Sequence, residues 1–263
     1  MDYAISHHTV FMPAGEYIRK YRDEDKFIVF CRRCNRYDRC WACPPYDFDI
    51  SARIGKYKYI CITGTQIVPD PSSVPTIPAG TEKEVVIGLL TEVRLQLDSW
   101  LRWLETEYPG SLACYAGTCH LCPDDTCTRI TGQPCRHPHL IRHSLESFGF
   151  DLGRTAEELL HIPLVWSDGV KFPEYLMLVS GLFTDVPIDI STIVWFFRSS
   201  GCVGNLKCVC VILLLYGLIF RSIPAFYLYA LGIVYKHRWA EISTGVFKIS
   251  CLKICKINFI LYF

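Results

Sequence analysis

Apolar residues recur at three- and four-residue intervals through positions 81–108, at Val86, Leu89, Leu90, Val93, Leu97, Leu101 and Leu104. That spacing predicts a helix with one buried face. Thr81 stands where an N-cap belongs, Glu84 follows as a capping-box partner, and Pro109-Gly110 supply a stop. Upstream, 57–68 (YKYICITGTQIV) is rich in β-branched and aromatic residues and predicts a strand, while the proline-rich 69–80 predicts a loop. Positions 14–30 suggest a short helix followed by a strand at KFIVF, and 111–117 (SLACYAG) a further short strand. Pro138 would open a helix that runs to Phe148 and is closed by Gly149, and TAEELL (155–160) a second short helix. PLVW (163–166) and PEYLMLVSGLF (173–183) read as strands paired in a hairpin across SDGVKF. Strands alternating with helices in this order point to an α+β or small α/β domain, with a mixed sheet, flanking helices and cysteine-rich loops at strand ends.

The overall charge of +1 conceals a break near Thr184. Residues 1–184 hold 19 Lys+Arg and 23 Asp+Glu, a net of −4, whereas 185–263 hold 8 and 3, a net of +5, with long apolar runs. We therefore expect a cysteine-rich domain at 1–184 and an apolar, basic extension at 185–263. The near-neutral total gives no general reason to expect nucleic acid as a partner.

Ten of the 15 cysteines lie in the first part, and eight of those ten form two tight groups. The opening stretch, MDYAISHHTVFMPAGEYIRKYRDEDK, has no apolar signal region, which favours a cytoplasmic chain in which clustered cysteines serve metal rather than disulfides. Cys31-x2-Cys34-x5-Cys40-x2-Cys43, followed by Pro44-Pro45, holds two Cys-x2-Cys pairs, each able to aim two thiolates at one ion. The gap of five is far shorter than in zinc ribbons, and the proline after the last cysteine leans toward iron–sulfur, with zinc as the alternative. The second group is Cys119-x2-Cys122-x4-Cys127-x7-Cys135. Spacing leaves open whether the groups act separately or together. Cys61, inside a strand, reads as a core thiol, and Cys114 is set aside.

His120, His137, His139 and His143 flank the second group and read as surface or helix-face residues; Arg136 and Arg142 could balance thiolate charge, or pair with a carboxylate such as Glu146. Arg32, Arg33, Arg36 and Arg39, interleaved with Tyr37 and Trp41, have the look of a small nucleic-acid knuckle, but a solvated loop balancing the cluster is the simpler reading.

CRRCNRYDRCWACPPYDFD and AGTCHLCPDDTCTRITGQPCRHPHLIRHSLESFGFDL together resemble a family of predicted metal-binding proteins of unknown function, common in anaerobic bacteria and archaea. The resemblance covers about 15–184. It implies metal binding through Cys31, Cys34, Cys40, Cys43, Cys119, Cys122, Cys127 and Cys135, and implies no reaction. The chain continues about eighty residues further. There VCVILLLYGLIF (209–220) and IPAFYLYALGIVY (223–235) are each too short to span a bilayer. Joined across Arg221, they give the alternative of membrane association through 209–235; translation of AT-rich DNA in a shifted frame would also account for the tail. The expected function is a metal-binding, most simply iron–sulfur, protein in electron transfer or redox delivery, with a redox partner protein. A zinc-stabilised binding module and a metal-dependent transfer enzyme are the alternatives.

Overall fold

A computed structural model describes residues 2–78, 80–123, 125–165 and 172–189. The extension, apart from its first five residues and including 209–235, lies outside the described residues. Among the described residues no helix is long and apolar enough to cross a membrane.

The architecture is α+β. Strands β1 (Tyr3–Pro13), β2 (Tyr59–Pro69), β3 (Leu112–Cys114) and β4 (Leu176–Thr184) form a four-stranded sheet of order β1-β2-β4-β3. The three pairings are antiparallel, so the sheet is not mixed: Tyr3 faces Pro69, Tyr59 faces Thr184, and Leu112 faces Phe183. Alternation along the strands feeds two cores. Ile60, Ile62, Val179 and Phe183 pack with α1 (Ala14–Tyr21), α3 (Ile50–Gly55) and the 145–160 segment. Cys61, Leu178 and Leu182 pack on the other side against Leu89, Val93, Leu97, Trp100, Leu101 and Leu104 of α4 (Glu82–Glu107). The helix predicted from period 3.6 is thus the one that covers a whole face of the sheet.

Four local expectations need correcting. KFIVF belongs to helix α2 (Glu24–Arg33) rather than to a strand. Asp23 accepts the Lys26 amide at 3.0 Å as N-cap, acids fill the first turn, and Arg32 and Arg33 fill the last. Capping and dipole complementarity outweigh the strand propensity of four apolar residues. Thr81 does not cap α4 with its side chain; its hydroxyl donates to the Pro78 carbonyl at 2.7 Å. No helix spans 138–148. Leu140 and Ile141 amides close one turn on His137, then the chain straightens so that the Tyr115 amide reaches the His143 carbonyl at 2.9 Å. Only Glu146–Phe148 turns again, before Gly149 at φ 87°. Finally, 163–165 form no strand, because β4 already has β2 on one side and β3 on the other. Strand β1 was not anticipated; its polar middle is held by cross-strand bonds such as His7 to Thr65 at 2.9 Å.

Candidate metal centre

Both cysteine groups sit on tight turns whose backbone is set locally. In the first group the Cys34 amide donates to the Cys31 carbonyl at 2.9 Å, and the Cys43 amide to the Cys40 carbonyl at 3.0 Å. Each Cys-x2-Cys pair is therefore closed by one turn bond. Asp38 takes a left-handed conformation (φ 55°) between the pairs, and the Pro44–Pro45 bond is cis. The second group begins where β3 ends. Gly117, at φ 73°, turns the chain over the Arg94 guanidinium. Farther on, the Ile130 amide closes on Cys127, and Gly132 (φ 66°) ends the turn over Thr128–Thr131.

The two groups meet. Cys40 from the first lines one small void of about 10 Å³ together with Cys119, Cys122, Cys127, Cys135 and His137 from the second. A void of that size holds about one water-sized sphere. The Cys119 and Cys43 thiols and the Ala42 amide donate to the Cys40 sulfur, which holds Cys40 far below the ordinary thiol range. The same bonds push Cys43 and Cys119 upward, with burial adding to the effect. Thr118 lies between them, its hydroxyl 3.1 Å from Cys43 Sγ and 3.9 Å from Cys40 Sγ. The remaining thiols belong to the same electrostatic neighbourhood. Cys31 is raised by burial and then by Cys34, and Cys34 also acts on Cys43. Cys135 is raised by burial, and the charges of Cys127, Cys122 and Cys40 add to it. Backbone amides turn toward sulfur at Cys34 (from Arg36, 3.5 Å) and Cys135 (from His137, 3.3 Å).

Helix α4 carries the second group through a polar stripe at Arg94, Asp98, Arg102 and Glu105, spaced by four, four and three. Residues so spaced share a helix face. Arg94 donates to the Thr118 carbonyl. Asp98, 3% exposed in its side chain, accepts from His120 Nε2 at 2.9 Å. Arg102 donates to the Tyr115 hydroxyl at 2.8 Å, and Glu105 receives the Ala113 amide at 2.8 Å and the Arg142 guanidinium at 2.6 Å. Burial lowers the Arg94 pKa, while Asp98, Glu146 and Cys119 act in the opposite sense. That sets a buried cation beside the thiols.

A second set of contacts ties loop to loop. Arg129, between Cys127 and Cys135, donates to the carbonyls of Cys40 (3.2 Å), Cys43 (2.7 Å) and Pro45 (2.5 Å) and to the Asp38 carboxylate (3.0 Å). Its guanidinium also lies 5.2 Å from the Trp41 ring centre, and the Trp41 indole donates to the Gln133 carbonyl at 3.1 Å. Arg39 meets Asp125 at 3.3 Å.

Several side chains differ from expectation. His143 is not a surface residue; it packs among Tyr46, Phe48 and Phe148, donates to the Ala42 carbonyl at 3.3 Å, and burial lowers its pKa to about 4. His120 is held by Asp98, and His137 faces the thiol-lined void. Arg142 pairs with Glu105 rather than Glu146. Arg136 approaches Cys122 Sγ at 4.0 Å. Trp41 and Arg39 make contacts within the protein, with Gln133, Arg129 and Asp125. Arg129 and the α4 stripe were not singled out from sequence, although charged residues at positions 94, 98 and 105 on an otherwise buried helix face were a usable signal. Cys61 and Cys114 are buried on β2 and β3, and burial raises the Cys61 thiol to about 12.

The donor set suits a soft metal. Thiols close enough to share protons can be bridged by a thiophilic ion once deprotonated. Among the described residues no three His, Cys, Asp or Glu side chains are drawn in to coordination geometry, so binding would tighten these loops. The family model described as predicted metal-binding protein (DUF2284) matches residues 18–183, more than half of the chain. The chain belongs to that family. Neither the curated proteins nor the solved structures include a match.

Proposed function

We propose that this member of the predicted metal-binding family holds an iron–sulfur centre between its two cysteine groups and uses it to carry electrons in the cytoplasm. Cys31, Cys34, Cys40, Cys43, Cys119, Cys122, Cys127 and Cys135 are the proposed ligands. The observation that carries the reading is the placement of Cys40 beside the thiols of the other group. Cys40 and Cys43 with Cys119, Cys122, Cys127 and Cys135 make six thiols at one junction, more than a single tetrahedral zinc ion requires and in keeping with a polynuclear centre. Arg94, Arg129 and Arg136 offset thiolate charge, and amides directed at sulfur favour the deprotonated ligands. When bound, the centre supplies one-electron chemistry; the chain's own residues position it and limit water access.

Anaerobically purified protein should show thiolate-to-iron absorption, iron and acid-labile sulfide. A colourless protein with stoichiometric zinc and no sulfide would contradict the reading. A metal-dependent transfer enzyme is the second reading, favoured by a cleft of about 290 Å³ where Cys31 lies with Glu146, Tyr46 and Phe48. It would require a small-molecule substrate to perturb the metal spectrum.

A further inference from the structure

Helix α2, which delivers Cys31, buries none of its ten residues. A ten-residue helix has little stability of its own and normally depends on an apolar face packed against the domain. Here the apolar run Phe27-Ile28-Val29-Phe30 is only partly covered, with Phe30 58% and Val29 43% exposed. The adjoining end of the helix is basic. Arg32 and Arg33 are exposed and make no ion pair among the described residues, and Cys34, the next turn, presents an exposed sulfur.

From this juxtaposition we propose that the C-terminal half of α2 is the docking face for an acidic electron-carrier protein, with Phe30 as the apolar anchor and Arg32 and Arg33 as the charged rim. This rests on the electron-carrying reading above and names the partner of that centre. An exposed aromatic bordered by exposed arginines fits the usual make-up of a transient interface, where a buried anchor supplies affinity and rim charge sets encounter rate and partner choice. Charge complementarity decides the occupant. Residues 185–263 carry 8 Lys+Arg against 3 Asp+Glu, a balance that does not complement a basic face. A second copy would set the same arginines against each other. A partner with carboxylates around an apolar spot is attracted on both counts, and docking there brings its cluster close to Cys34. One electron then passes from the reduced carrier, which is oxidised, to this centre, which is reduced.

The test uses the full metal-loaded chain and, as probe, a small acidic iron–sulfur carrier protein bearing a fluorophore. Anisotropy should report binding that weakens as salt rises. Affinity, expressed per metal-loaded chain, should fall about tenfold in the Arg32→Ala/Arg33→Ala double variant and several-fold in Phe30→Ala, with metal content and circular dichroism measured on each variant to separate a lost interface from a lost centre. Lys83→Glu, on the exposed part of α4, should bind as the parent does. Salt-independent binding, or equal affinity in all variants, overturns the proposal, as does RNA retention lost in the same variants with no carrier binding. A colourless zinc protein that still binds the carrier through these residues would uphold the docking face and refute the electron-carrying reading.

Discussion

Arg129 and Cys43 belong to different cysteine groups, 86 residues apart, yet Arg129 Nη1 donates to the Cys43 carbonyl at 2.7 Å. One guanidinium thus spans the junction, its side chain only 11% exposed. Arg129→Ala would leave the carbonyls of Cys40, Cys43 and Pro45 without this donor. A hydrogen bond to a charged group contributes about 1.5–3 kcal/mol net of its exchange with water, and bonds that share one guanidinium do not add. A net loss of roughly 2 kcal/mol and weaker metal retention against a chelator are expected. Arg129→Lys should recover little, since one ammonium cannot reproduce the fork. Denaturation midpoints and metal-release rates check both.

Asp98 anchors the other side of the centre. Replacing it with Ala removes the partner of His120 and leaves the buried Arg94 without its nearest counter-charge. Removing one partner of a buried hydrogen bond typically costs about 1–3 kcal/mol. The expected result is a destabilised chain with a loosened Cys119 loop, read as faster alkylation of Cys119 in the metal-free protein. Alkylation at the parent rate would show that the loop does not depend on α4.

Gly149 permits α2 to dock. At φ 87° it adopts a conformation that side chains disfavour, and a Cβ there would lie 2.9 Å from Glu24 Cα. Gly149→Ala should cost about 1–3 kcal/mol and displace the start of α2, lowering metal content through Cys31. Equilibrium unfolding together with metal analysis separates the two effects.

Stability should also fall in mild acid. Burial, assisted by the charge of His8, lowers the His7 pKa from 6.5 to about 4. Above 6.5 the imidazole is neutral in both states. Between 6.5 and about 4 the unfolded chain takes a proton that the folded chain refuses, so stability declines as pH falls through that window and levels off below it. For a half-buried group the discounted effect is on the order of 1–2 kcal/mol. His7→Gln, which keeps a polar partner for Thr65, should flatten this part of the pH profile of urea midpoints.

The parts of the fold that could be read from sequence were those in which a single periodicity dominates. Helix α4 and strands β2 and β4 carry apolar patterns long enough to outweigh local accidents. KFIVF misled because four apolar residues fit a strand or a helix equally well, and the decision lay with Asp23 before them and two arginines after. The 138–148 stretch lost its helix to a tertiary demand, since His143 and Ser144 are needed beside Tyr115. At the site, the cysteines were visible as two spacings, but the meeting of Cys40 and Cys43 with the second group was not. It depends on Gly117, Arg94 and Arg129, residues whose part appears only when the loop after β3 folds back onto the turn after α2.

If the two groups build one centre, as we propose, Cys40 is the residue on which it turns. The most direct test is iron, zinc and acid-labile sulfide per chain in anaerobically purified parent and Cys40→Ser. We expect iron and sulfide in the parent, and in Cys40→Ser a loss that includes the metal attributable to Cys119, Cys122, Cys127 and Cys135. A Cys40→Ser protein that keeps the parent's full metal and sulfide content would contradict it.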